Sequence, residues 1–400
     1  MNKKLKIWLL AAFHALVLLL LMVIAWGQGI SLSDEASVIK NFNLFKDAVS
    51  QREDTPQSDL LPVNIAFDRE LVEVCDQWGI PKGNTDITDR AKLAALLQGI
   101  REGGNRHRMI FLDVFLNPEF KTPADSLLFS LIAEMPRIVI PRHADEPEIP
   151  EIIRNKSGIS DYSVSYNEDN FLKYQYLTAQ GDTSMAMKAY LDHSGHQLTG
   201  PASFPLDNGR LFTRSEILDY PLRIDAEYSA SGDKILYNLG ADLLDAYTPE
   251  DLNELIEGKD ILVGDFSERD NHSTFIGNVS GPVIVYTAYL TLLYGRHLIP
   301  FWVLAAIYLI LTVMSYLAFT GKSLADTLPQ WRIMRSHAVS FIISWCGFAT
   351  ILLVLALVVY LFSGKLVDVL VLATYFSILE AIIPIFQSLP KTSSKKQKTS

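Results

Sequence analysis

Four stretches of the chain are apolar almost without interruption, roughly Ile7 to Trp26, Ile299 to Phe319, Val339 to Phe362 and Leu366 to Leu389. About 20 apolar residues, at roughly 1.5 Å of rise each, cross a hydrocarbon core of about 30 Å, so each stretch predicts a membrane-spanning helix. Between the first and second, the pattern changes to that of an α/β domain. Ser33 to Ser50 has helical spacing, with Ser33 as cap and Ala36, Ile39, Phe42 and Phe45 along one face. Gln51 to Asp59, polar and broken by Pro56, predicts a loop. Leu61 to Phe67 predicts a short strand ending in Asp68, followed by helical spacing through about Gln77 and again from Thr88 to Glu102. Further buried strands are predicted at Met109 to Asp113 and Arg137 to Pro141, with a helix over Pro123 to Glu134 between them.

The middle of the domain, Ala144 to Tyr228, is more polar. Tyr162 to Tyr166 and Phe171 to Thr178 alternate in character and Thr183 to Leu191 is helical, which predicts a small antiparallel excursion. Ser194 to Pro221, punctuated by Gly195, Gly200, Pro201, Pro205 and Gly209, predicts a long surface loop. Order is expected to return at Ile235 to Leu239, the helix Pro249 to Glu257 and the strand Asp260 to Gly264. A loop from Asp265 to Pro282 then leads to an apolar helix, Val283 to Gly295, separated from the second span only by Arg296, His297 and Leu298. Strands alternating with helices predict an α/β fold with a largely parallel sheet. The expected organisation is an anchor over 1–26, an extracytoplasmic domain over 27–298, three transmembrane helices over 299–389 and a basic tail over 390–400.

Charge orients this plan. Residues 27 to 299 carry 42 acidic and 24 basic side chains, whereas everything outside carries 11 basic and 3 acidic ones. With Lys3, Lys4 and Lys6, the Lys322, Arg332 and Arg335 turn and the Lys391 to Lys398 tail on the cytoplasmic side, the chain obeys the positive-inside bias. The expectation is a multi-pass inner (plasma) membrane protein with both termini cytoplasmic and the acidic block outside. The first apolar stretch exceeds the roughly 7 to 15 residues of a signal-peptide core, which favours a retained anchor. His14 within it is expected to face a neighbouring helix as neutral imidazole. Topology separates Cys75 from Cys346, so neither an internal disulfide nor a Cys-ligated zinc module is expected. The acidic balance argues against nucleic acid as a partner.

One set of segments resembles a known family. Lys259-Asp260-Ile261-Leu262-Val263-Gly264-Asp265, the loop Asp270 to Phe275, and Gly281-Pro282-Val283-Ile284-Val285-Tyr286-Thr287-Ala288-Tyr289 resemble the closing signature of CHASE type-two sensory domains. Phe67-Asp68 and Phe111-Leu112-Asp113-Val114-Phe115 are similar to segments after that family's first two strands, and one anchor before the domain with three spans after it matches the family plan. The resemblance covers about residues 7 to 389 and implies an extracytoplasmic sensory domain. Where the family has Glu-Ile-His, this chain has Ile284-Val285-Tyr286, which implies that a polar role at those positions is missing. Members usually continue into a cytoplasmic kinase or cyclase. Only about ten residues follow the last span here, so the expectation is a sensor that acts through a separate protein partner or a second copy of itself.

The candidate chemistry lies beyond the strand ends, where open parallel sheets bind ligands. Asp68, Asp113 and Asp265 each follow a predicted strand, with Asp270 and His272 in the adjoining loop, a set suited to a cation or a cationic small ligand. The competing reading is that these aspartates cap helices or shape loops. No phosphate loop, His-Glu-x-x-His or Gly-x-Ser-x-Gly motif is present, and the Asp192, His193, Ser194 and His196 cluster sits at a loop edge, so neither enzymatic activity nor a cofactor is expected. Glu380, in the last span ahead of Pro384, is a candidate for intramembrane contact with a partner. The alternative to a sensor is a structural or assembly subunit of an envelope complex.

Overall fold

The computed structural model describes residues 2–27, 59–76, 80–143, 149–160, 173–202, 204–218, 231–274, 277–320, 337–365 and 367–388, with positions 78, 163–164, 222, 224 and 226–229. The helix expected over Ser33 to Ser50, most of the following loop, the turn 321–336 and the basic tail lie outside the described residues. The chain divides into two compact units, Met1–Ala25 with Ile299–Ser400, and Trp26–Leu298.

The second unit is built on six parallel strands, β1 (Leu60–Asn64), β2 (Met109–Leu112), β3 (Ile138–Arg142), β4 (Ser157–Ile159), β5 (Tyr237–Asn238) and β6 (Asp260–Gly264). Their order is β5-β1-β6-β2-β3-β4, parallel at every pairing. Alternate residues divide between two cores because successive side chains of a strand point to opposite faces. Leu61, Val63, Ile110, Leu112, Ile138, Ile140, Ile261 and Val263 pack beneath α1 (Arg90–Glu102), α2 (Asp125–Glu134) and the region of Leu252 and Ile256. Leu60, Met109, Phe111, Val139 and Leu262 pack on the other face, with α3 (Met185–Ser194), α4 (Pro249–Leu255) lying opposite among the first set, and α5 (Gly281–Leu293) among the second. Helices on both faces explain why the central strands read as continuous apolar runs.

Local chemistry fixes the helix starts. Asp89 accepts from the Lys92 amide, Ser184 from that of Met187 and Thr248 from that of Asp251, each satisfying an amide that the first turn leaves free. Gly195 ends α3 in the left-handed conformation, at φ 69°.

Three expectations are corrected. The segment expected to be helical through about Gln77 is not helical over its described residues, Asp68 to Asp76: Arg69–Cys75 pairs antiparallel with Pro81–Thr88, Val72 facing Thr85 and Glu70 facing Ile87. The β-branched Val72 and Val74, two apart, suit a pleated ribbon better than a helix. Ser194 to Pro221 is not a surface loop. It contains the ribbon Leu198–Thr199, Leu206–Asp207 and Arg210–Leu211, then Ser215–Glu216 paired with Lys173–Gln175. Buried Asp207 accepts from Tyr190 Oη at 2.7 Å and lies 2.9 Å from both His196 Nδ1 and His297 Nε2. His196 of the Asp192 to His196 cluster is thus held by structure. The loop expected over Asp265 to Pro282 likewise contains a hairpin, Asn271–Thr274 with Gly277–Ser280.

The first unit contains the helices Lys3–Gly27, Phe301–Thr320, His337–Ser363 and Val369–Ser388. Among the described residues, three helices are long and apolar enough to cross a membrane, Lys4–Trp26, Phe301–Thr320 and Phe341–Ser363, while the last is a shorter apolar helix over Val369–Ile383. Gly364, at φ 68°, turns the chain, and the last helix begins only at Val369. Polar side chains tie these helices together. His14 Nδ1 lies 2.8 Å from Ser315 Oγ and its Nε2 2.6 Å from Tyr375 Oη. Trp8 stacks on Tyr316, and Trp345 Nε1 donates to Thr374 Oγ1.

Candidate ligand cleft at the strand ends

The chain passes from β1 to β2 leaving a gap that β6 later fills, arriving from β5 on the far side. The helix after β2 packs on one face of the sheet and the helix after β6 on the other. Loops leaving adjacent strands in opposite directions open a crevice beyond their carboxyl ends. A cleft of about 620 Å³ lies there, lined by Asp113, Asp265, Asp270 and His272 together with Arg69, Asp86, Phe115, Asn117, Phe120, His143, Ser160 and Arg269.

Four of the five residues singled out in the sequence therefore share one cavity. Asp68 does not: its buried carboxylate takes an ion pair from Lys92 Nζ at 2.6 Å and a bond from the Gly240 amide at 3.3 Å, behind the cleft wall. Nor do these aspartates cap helices, a role that falls to Asp89 at α1. Asp265 pairs with Arg69 Nη2 at 2.8 Å and accepts from the Ser267 amide. Asp270 lies 3.5 Å from His272 Nε2, and Asp86 lies 3.8 Å from Arg269. Glu380, in the other unit, is buried and accepts from Ser344 Oγ at 3.0 Å, so it faces a neighbouring helix of its own chain.

Asp113 differs from its neighbours. Among the described residues its carboxylate has no hydrogen-bond or ion-pair partner. Burial pushes its pKa up to about 7, the nearby Asp270 carboxylate pushes the same way, and His272 opposes them. His272 is itself raised, chiefly by its bond to Asp270.

A folded-state pKa above the unfolded value, near 4, gives a contribution fully present below that value and lost as pH rises through about 7. Asp113→Asn is therefore expected to flatten the loss of stability between about pH 4 and pH 7, which wild type should show at up to about 1.4 kcal/mol per pH unit. Melting of the detergent-solubilised chain across that range checks this. Parallel curves for variant and wild type would show that Asp113 does not titrate there.

Two features that sequence reasoning passed over build the cleft wall. Arg90, buried, donates to the carbonyl oxygens of Phe120 (2.6 Å) and Asn117 (2.8 Å) and to Asp125 (2.7 Å), so one guanidinium fixes the loop that carries Phe115, Asn117 and Phe120. The closing signature is a packing lock. A Cβ on Gly264 would overlap the Pro282 ring and one on Gly281 would overlap the Asp270 carboxylate, so both glycines permit close approach at the start of α5. The expectation of no polar role over Ile284 to Tyr286 is corrected as well: Tyr286 Oη donates to buried Asp260 at 2.9 Å, on the opposite rim.

A family model for the CHASE2 domain matches residues 15–320. Searches of curated proteins and of solved structures returned no match. The match spans the first membrane helix from Ala15 on, the whole parallel-sheet domain with its cleft, and the helix Phe301–Thr320. The chain thus belongs to the CHASE2 domain family, whose members carry an extracytoplasmic sensory domain.

Proposed function

We propose that this protein is a membrane-anchored extracytoplasmic sensor that binds a small ligand in the strand-end cleft and signals through a separate protein partner. The single observation that carries the reading is the cleft itself, a cavity at the switch point of a parallel sheet in a family of sensory domains. The charge division supports four spans in an inner membrane, both termini in the cytoplasm and the domain outside. The domain is read as non-enzymatic. Its cleft combines a carboxylate that is partnerless among the described residues with paired ions and aromatic rings, an arrangement suited to holding a ligand.

The full chain in detergent, melted against a panel of small metabolites of differing charge, tests this reading. At least one compound is expected to give saturable stabilisation that a cleft-filling Ser160→Trp substitution removes. A flat response from a folded sample would shift the balance to the second reading, an assembly subunit. That reading has its own observation: Leu71, Trp78 and Ile80 of the hairpin region are 73%, 77% and 60% exposed, apolar surface of the kind that marks contact with another protein.

A further inference from the structure

The charges of the cleft do not balance within it. Arg69 is committed to Asp265 and Arg269 leans on Asp86, which accounts for both arginines of the lining. Asp113 and Asp270 remain, with two histidines of the lining beside them, His272 at 3.5 Å from Asp270 and His143 against Ser160 and Phe115. Asp113 faces the cavity with no partner among the described residues. Asp113 is half-buried at the cavity wall, and a carboxylate there without a counterion gains from a cation that enters beside it.

A metal ion fits poorly. Among the described residues no group of three or more His, Cys, Asp or Glu side chains is disposed to hold one, although a small divalent ion needs several oxygen or nitrogen ligands converging at about 2.0 to 2.6 Å. The remainder of the lining mixes the apolar Ile65, Ile87, Val114, Phe115, Phe120 and Pro141 with the neutral polar Thr88, Asn117 and Ser160 and with His143. The cavity, at about 620 Å³, falls in the range that encloses small organic molecules. Phe115 is held edge-on to His143 at 4.8 Å, and the backbone that carries Phe120 is anchored by Arg90. Aromatic rings beside an unpaired carboxylate suit a cation that carries hydrocarbon.

From this we infer that the cleft takes a small organic ammonium ion, its charged head against Asp113 and Asp270 and its apolar body against Phe115 and Phe120. This rests on the reading of the cleft as a ligand site and adds the chemical class. The head replaces the missing counterion of Asp113, and its N–H groups supply donors to a carboxylate that now has none. The body buries apolar surface that the cleft leaves open. Asp113 is ionised in the complex, so binding releases protons near neutral pH, and affinity rises by up to about tenfold between pH 6 and pH 8.

Three isosteric probes test the inference on the full chain in detergent: phenethylamine, phenethyl alcohol and phenylacetate, with magnesium ion as a fourth. The expected result is saturable binding of phenethylamine alone by calorimetry, at least tenfold weaker in Asp113→Asn and weaker at pH 6 than at pH 8. The Asp113→Asn chain is expected to fold. Phe115→Ala, which keeps every charge, should also weaken the amine and serves as a second variant. Binding of the alcohol, the carboxylate or magnesium in preference to the amine would overturn the cationic assignment and leave the cleft a ligand site. So would amine binding indifferent to Asp113→Asn. If no probe binds while a non-cationic compound of the wider panel does so in a Ser160→Trp-sensitive way, the class is wrong and the sensor reading stands. If nothing binds at all, both fall.

Discussion

Replacing Asp260 by Asn is expected to lower the stability of the sheet domain by about 3 kcal/mol, the low end of what breaking a buried ion pair costs. Asp260 opens β6 and is fully buried. Arg108 grips it with Nε on Oδ1 at 2.8 Å and Nη2 on Oδ2 at 2.6 Å, and Tyr286 Oη donates to the same Oδ2 at 2.9 Å. The neutral amide presents an N–H₂ group where one of these donors requires an acceptor, and it leaves the guanidinium with only the exposed Asp59, 3.5 Å away, as counter-charge. Arg108 keeps 29% of its side-chain surface in solvent, so water replaces part of what is lost. For a domain of this size the change corresponds to roughly 6 to 12 °C in Tm. Melting of the full chain in detergent, read by protease susceptibility of the extramembrane part, gives the number. The double substitution Arg108→Met with Asp260→Leu should cost less than Asp260→Asn alone, because no charge is then stranded. A single-variant shift below about 2 °C would mean that the pair carries no such weight.

The second large effect is expected at Gly264→Ala. The added methyl would sit 3.0 Å from the Pro282 Cβ, closer still to its Cγ, and 3.5 Å from the Asp113 Cβ. The proline ring has little freedom to turn aside. It begins α5, where Val283 to Leu292 are all buried, so the helix must shift as a body or the strand end must yield. Overpacking of this kind costs about 1 to 3 kcal/mol. Because Asp113 lines the same corner, the variant should also lose whatever ligand response the cleft has. Hydrogen exchange is expected to quicken at Ile284 to Leu290 while the amides of α2 stay unchanged. Uniform protection in variant and parent would show that the lock is loose.

How much of this was legible in the sequence varied with the physics involved. β6 runs over Asp260–Gly264 as its apolar run predicts, since a strand buried on both faces writes itself as hydrophobic residues bounded by polar ones. The helices after it were legible as unbroken apolar runs, Val283 to Gly295 and the spans beyond. The hairpin over Arg69–Thr88 was not, because a mostly exposed two-stranded ribbon leaves only weak alternation and its charged residues mimic a helix. Ser194 to Pro221 was misread for a different reason: its anchor is a buried carboxylate with Tyr190, His196 and His297, and hydropathy counts all four as surface. Within the cleft, position after a strand was enough to place Asp113 and Asp265. The fate of Asp68 depended on Lys92 and Gly240, and the role of Arg90 on two backbone carbonyls, neither of which has a signature in residue type.

The polar contacts of the histidine in the first membrane helix have a direction that one serine sets. Ser315 Oγ already donates to the Leu311 carbonyl at 2.6 Å, so toward His14 it acts as acceptor and Nδ1 carries the hydrogen. A neutral ring then has only a lone pair at Nε2, and Tyr375 must be the donor there. The result is a one-way relay, from Tyr375 through His14 and Ser315 to a main-chain oxygen, that crosses three helices with every hydrogen pointing in the same sense. A proton added at Nε2 would reverse the first link of that relay and turn the phenol from donor to acceptor, while the serine end would keep its sense.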